Sequence, residues 1–112
     1  MPSLNENEEI TPGETLLIWR KRRALNQREA ACELGLSLHQ YINAERNEAL
    51  IAVVDSIKLG KLNDHERCLI YRRRVGLTQI DVAVQLGCSR LWVHKMETGQ
   101  VRCDDLLWFW EQ

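Results

Sequence analysis

The 112-residue sequence predicts an all-α protein in which one three-helix unit is written twice. Two observations carry that expectation. Sliding the chain on itself by 52 positions superposes 11–48 on 63–100 without a gap. Twelve identities result: Glu14/Glu66, Leu17/Leu69, Ile18/Ile70, Arg20/Arg72, Arg22/Arg74, Leu25/Leu77, Gln27/Gln79, Ala31/Ala83, Leu34/Leu86, Gly35/Gly87, Ser37/Ser89 and Glu45/Glu97. In both copies, residues that cap helix starts alternate at short intervals with residues that end helices, and apolar side chains between them recur at helical spacing.

The first helix of copy one opens at TPGE, with Thr11 as cap, Pro12 in the first turn and Glu14 reaching back; copy two has Asn63 and Glu66 in the same places. The second helix starts after Asn26 or Thr78 and ends at Gly35 or Gly87. Ser37 and Ser89 cap the third, which closes at Asn47 in copy one and at Gly99 in copy two, asparagine being the next most tolerant residue of a left-handed terminus. Helix, short glycine turn and capped helix make a helix-turn-helix. Ala31 and Ala83 are small where two helices must approach. Leu34, Leu86, Tyr41, Val93, Ala44 and Met96 fall inward, with Leu17, Ile18, Leu69 and Ile70 from the preceding helices.

The organisation expected is a flexible acidic N-terminus (1–10), a first unit (11–48), an extended connector (49–62) and a second unit with a C-terminal helix (63–112). In the connector, Val53, Val54, Ile57 and Leu59 would lie against both copies. Fourteen residues reach at most about 46–50 Å, enough to hold the third helices of the two copies about 34 Å apart. In the last helix, Leu107, Trp108 and Trp110 are too apolar for a free end; they either close the second core or form a subunit contact.

Composition narrows the function. A hydrophobic fraction of 45% is that of a folded globular protein. No apolar run is long enough to cross a membrane, and the N-terminus lacks the basic and apolar regions of a signal peptide, so a cytoplasmic protein is expected. The first fourteen residues carry four of the 16 acidic side chains and none of the 15 basic ones, seven of which gather in Arg20-Lys21-Arg22-Arg23 and Arg72-Arg73-Arg74. Cys32, Cys68, Cys88 and Cys103 form no CxxC, and His39, His65 and His94 no ligand spacing. Cys32 and Cys68 fall where helical cores would lie, so reduced structural thiols are expected rather than a metal or disulfides. No nucleophile motif supports an enzyme, and no cofactor is implied.

The stretch LTQIDVAVQLGCSRLWVHKMETG, Leu77 to Gly99, resembles the Cro/C-repressor type (XRE-like) helix-turn-helix of bacterial and phage transcriptional regulators; Leu25 to Asn47 matches more loosely. Two tandem copies are similar to small phage or prophage regulators with two such motifs per chain. Copy one lacks the glycine after its third helix, and neither copy shows the family's full five helices. The resemblance implies a buried pair between Arg72 and Glu97, and by position Arg20 and Glu45. It places base-reading side chains at Arg90, Leu91 and Lys95 in copy two and at Leu38, His39 and Asn43 in copy one. Arginine or lysine donates to guanine, asparagine pairs bidentately with adenine, and leucine touches thymine methyls. Gln27, Gln79, Ser37, Ser89, Arg73 and Arg74 would contact phosphate, the glutamines also bracing the recognition helix. Lys21, Arg22, Arg73 and Arg74 are either phosphate contacts or solvated charges, and Leu38 and Leu91 either touch bases or pack against protein. Trp92 either stacks on sugar-phosphate or fills a gap beside the first helix.

These expectations converge on a sequence-specific, nucleoid-associated regulator that binds an operator in double-stranded DNA, a repressor, as a homodimer joined through Leu107, Trp108 and Trp110. The alternative is an interaction module, antitoxin-like or anti-repressor, in which one helix-turn-helix has lost DNA binding. Copy one, with leucine and histidine at reading positions, is the candidate for that loss.

Overall fold

The structure, a computed structural model, describes residues 10–47 and 52–111, without the side chains of 47, 52 and 53. The acidic N-terminus up to residue 9 and the start of the connector lie outside the described residues. Within them the chain is all-helical: α1 (Pro12–Arg22), α2 (Gln27–Leu34), α3 (Leu38–Asn47), a 3-10 helix (Ala52–Ser56), α4 (Asp64–Val75), α5 (Gln79–Leu86), α6 (Arg90–Glu97) and α7 (Asp104–Trp110). The chain divides into two compact units, one ending at Gly60 and the other beginning at Lys61.

Caps set the boundaries. The Thr11 hydroxyl accepts from Glu14 N–H at 3.2 Å, and the Glu14 carboxylate accepts Thr11 N–H at 2.9 Å. Asn26 with Glu29 and Thr78 with Asp81 repeat this reciprocal box at the starts of α2 and α5. Glu66 accepts Asn63 N–H at 2.8 Å ahead of α4. Ser37 and Ser89 accept the cap bonds of α3 and α6, at 3.1 and 3.0 Å. Each cap satisfies a donor that a helix start would otherwise leave unpaired.

In the first unit α1 and α2 pack against α3 around Leu16, Ala30, Ala31, Tyr41 and Ala44. The connector takes part: Val54, from the 3-10 helix, is buried in this core and Ile57 packs on it, so the segment read as extended is locally helical and covers the first unit. The Arg22 guanidinium donates to the Leu59 carbonyl at 2.6 Å. The second unit's core is larger: Cys68, Tyr71, Val82, Ala83, Val93, Met96, Leu106, Phe109 and Trp110. Here α7 supplies the closing side chains, with Phe109 edge-on to Trp110 at a centroid distance of 4.9 Å.

Two sequence expectations are corrected. Cys32 is exposed, because the short α2 turns Ala30 and Ala31 inward and leaves Cys32 on its outer face; Cys68 is buried as expected. Trp110 is fully buried in its own core and Leu107 packs on it, so of the three C-terminal residues assigned to a subunit contact two close the second core instead, and Trp108 is 60% exposed.

The two units differ where helices end. Gly76 closes α4 in the left-handed region at φ +84°, and the equivalent residue after α1 is Ala24, held at φ +55°. Leu25 N–H and Leu77 N–H each reach back across this turn to the carbonyls of Arg20 and Arg72, so the same loop geometry is imposed on alanine. An L side chain in this region costs about 1–2 kcal/mol. A second difference lies at Gly99, whose added Cβ would meet His65 Cε1 at 2.9 Å. The equivalent positions in copy one are Asn47 and Gly13, so the side chain has changed sides.

Ala24→Gly is expected to stabilise the first unit by about 0.5–1 kcal/mol, relief of the left-handed strain exceeding the added flexibility of the unfolded chain; chemical denaturation measures it. Gly99→Asn, which the backbone tolerates, should destabilise the second unit, and adding His65→Gly should recover most of the loss. Additive effects of the two changes would show that the close approach carries no energy.

Candidate nucleic-acid interface

In each unit an arginine of the first helix, a glutamine of the second and a glutamate of the third meet. Arg20 donates through Nε and Nη2 to the two carboxylate oxygens of Glu45, both at 3.0 Å, and through Nη1 to the Leu25 carbonyl at 3.3 Å. Gln27 donates to Glu45 Oε1 at 3.2 Å. In the second unit Arg72 donates to Glu97 at 2.6 Å and to the Leu77 carbonyl at 3.1 Å, and Gln79 donates to Glu97 at 2.9 Å. Both glutamates are buried and both arginines nearly so. The planar guanidinium suits this job because its donors fan out in one plane toward carboxylate and carbonyl together.

Burial alone would raise the Glu45 carboxyl, but the bonds from Arg20, Tyr41 and Gln27 outweigh it and hold the group below the usual carboxylate range. Burial, followed by the Glu45 charge, pushes the Tyr41 hydroxyl far above the usual phenol range. The single hydrogen of the Tyr41 hydroxyl is shared between the Glu45 carboxylate and the Leu16 carbonyl, 3.3 Å away inside the core.

The network extends outward in the second unit only. Gln79 turns its amide nitrogen to Glu97, so its carbonyl oxygen faces away and accepts Arg90 Nη1 at 3.1 Å. Arg90 and Leu91 are exposed on the first turn of α6, and Lys95, one turn later, is half-buried. Trp92 is also exposed there rather than filling a gap beside the first helix. In the first unit Leu38 stands in place of Arg90 and has no charge with which to continue the chain from Gln27. His39 is exposed on the first turn of α3 and bonds Asn43, half-buried, one turn on.

The residues assigned to phosphate are placed as follows. Gln27 and Gln79 have one amide hydrogen committed to a buried carboxylate. The hydroxyl oxygens of Ser37 and Ser89 accept cap bonds, leaving their own O–H to offer. Arg73 is half-buried, and exposed Arg74 lies over the Tyr71 ring, 5.7 Å from its centroid. Among the described residues no three His, Cys, Asp or Glu side chains are grouped to hold a metal, and no helix is long and apolar enough to cross a membrane.

Residues 70–106 match the helix-turn-helix domain family. The matched segment runs from Ile70 in α4 through α5 and α6 to Leu106 in α7, and so contains Arg72, Gln79, Arg90 and Glu97. The first unit lies outside it. No curated protein and no solved structure matches the chain. Sequence reasoning did not see the Gln79–Arg90 bond; glutamine followed eleven positions later by arginine is a signal only once the turn between α5 and α6 is known.

Because Glu45 is held below its ordinary range in the folded protein, its contribution to stability is fully present above the unfolded carboxylate value, about 4.3, and is lost as pH falls through the lower folded value. Unfolding followed against pH should show the first unit weakening in acid, with Glu45→Gln flattening the dependence. Glu97→Ala leaves the Arg72 guanidinium without its carboxylate and should cost about 3–5 kcal/mol, read as a lowered denaturation midpoint; an unchanged midpoint would show that the pair is solvent-compensated.

Proposed function

We propose that the protein is a sequence-specific double-stranded DNA-binding transcriptional regulator whose second unit inserts α6 into the major groove. The supporting observation is the hydrogen-bonded chain from Arg72 through Glu97 and Gln79 to Arg90. It fixes an exposed guanidinium on the first turn of a helix within a segment matched to the helix-turn-helix family. A groove about 12 Å wide admits one helix, and a braced arginine there matches the O6 and N7 acceptors of guanine. Leu91 would meet a thymine methyl and Lys95 a second acceptor. Arg73, Arg74, Ser89 and the free hydrogen of Gln79 would hold the backbone. In the first unit Leu38, His39 and Asn43 would read, with Ser37 and Gln27 on phosphate. The role is that of a Cro/C-repressor type repressor, phage or prophage in kind, acting on the nucleoid; dimerisation would run through Trp108.

One observation favours a second reading, a protein-interaction module in which one unit no longer binds DNA. The outer face of α5 carries Ile80 and Val84, 58% and 75% exposed, where the first unit has Arg28 and Cys32. Selection of a binding site from random duplexes separates the two: a regulator enriches a defined sequence, an interaction module none.

On the enriched site, Arg90→Ala or Lys95→Ala should each lower affinity by about 1–3 kcal/mol and relax one base position. Arg74→Ala should weaken all sequences alike and flatten the salt dependence by about one unit of slope. Titration of each variant against specific and scrambled duplexes at several salt concentrations reads both. Equal losses on both duplexes for Arg90→Ala would move that residue from base to backbone.

A further inference from the structure

We propose that His39 is a specificity-setting residue: it orients the Asn43 amide for adenine when neutral and turns it when protonated. The inference rests on the reading in which the first unit contacts bases. Asn43 Nδ2 and His39 Nε2 are 3.1 Å apart, one helical turn from each other on the exposed side of α3. The equivalent pair in the second unit is Leu91 and Lys95, which cannot make such a bond.

An asparagine amide is nearly symmetric in shape, so an isolated one presents its oxygen and nitrogen in either orientation. The imidazole breaks that symmetry. With Nε2 unprotonated and the proton on Nδ1, the ring accepts one amide hydrogen, that trans to the oxygen. The other hydrogen and the carbonyl oxygen remain side by side on the opposite edge. That edge is the donor–acceptor pair that matches N7 and N6 of adenine. A protonated ring carries N–H at both nitrogens and has nothing to accept with. It then favours the amide oxygen, which turns the amino group outward. The outward edge still carries one donor and one acceptor, because the carbonyl oxygen keeps a second lone pair, but they have exchanged places and fall out of register with N7 and N6 of adenine.

The neighbouring charges do not compete for the ring. α1 and α2 are the helices packed against α3. From α1, Glu14 bonds Thr11 and Arg20 bonds Glu45, while Lys21 and Arg22 sit at its C-terminal end with Arg22 bonded to Leu59. From α2, Glu29 bonds Asn26 and Glu33 pairs with Arg23; Arg28 is a cation and offers the ring no acceptor. On α3 itself Glu45 is held by Arg20 and Gln27, and Arg46 lies two turns beyond.

The experiment uses the full chain on its selected duplex. The base pair whose replacement affects the wild type but not Asn43→Ala is the one Asn43 reads. Affinity for adenine against guanine at that pair is then measured from about pH 8 to about pH 5.5, the range over which an imidazole ordinarily gains its second proton. The expected adenine preference is about tenfold at the upper end and declines as pH falls, while His39→Leu gives a weaker preference that is flat in pH. A wild-type preference flat in pH, with Asn43→Ala abolishing it, overturns the role of His39 and leaves the DNA reading standing. Asn43→Ala without effect at any base pair overturns both. In the free protein, the Asn43 side-chain amide resonances should titrate together with His39 and stop doing so in His39→Leu; resonances that ignore pH overturn the bond itself.

Discussion

Each unit is held by a buried carboxylate on its third helix that collects donors from the first and second. Glu45 and Glu97 play this part, and the arginine that answers each also holds the carbonyl of Leu25 or Leu77 in the loop between first and second helices. Ala31 and Ala83 let the second and third helices approach closely, and apolar contact is non-directional, so the bonds to the carboxylate add the orientation that burial lacks. A guanidinium and a carboxylate removed from water are each expensive alone, so the arrangement tolerates loss of neither and fixes the third helix with respect to the other two.

The pattern of identity between the copies follows this constraint. Arg20/Arg72, Gln27/Gln79 and Glu45/Glu97 are unchanged, as are the Gly35/Gly87 turn and the Ser37/Ser89 cap. The residues on the outer turns of α3 and α6 have all diverged: Leu38 against Arg90, His39 against Leu91, Asn43 against Lys95. A surface can change its chemistry freely only while the scaffold beneath it is pinned by something else. Here the inner half of each glutamine belongs to the scaffold and its outer half to the surface.

Helix starts and stops were legible because caps are local: Thr11 with Glu14, Asn26 with Glu29 and Thr78 with Asp81 act over three residues. The Arg–Glu pairs were legible by resemblance, since 25 residues separate their members and no local rule reaches that far. The connector departs from the extended reading because Val54 and Ile57, three positions apart, share a face in a 3-10 turn and would lie on opposite faces of a strand; both pack on the first core. The exposure of Cys32 is not legible, because an eight-residue helix leaves the width of its buried face undetermined by spacing alone. The His39–Asn43 bond needed side-chain rotamers, about which a sequence is silent.

Copy one closes over three alanines with one leucine, one tyrosine and a borrowed valine, whereas copy two is filled by Tyr71, Phe109 and Trp110 among others. Copy one also carries the strained alanine turn. Buried apolar area and backbone strain both point the same way, so the two halves form cooperative folding blocks of unequal strength. Warming such a chain should melt the weaker half first, with amide exchange sorted into two tiers. What is lost first is the half with the amide-bearing surface, while the half carrying the braced guanidinium persists: a thermometer with a single graduation, written by duplication followed by uneven filling of the two interiors.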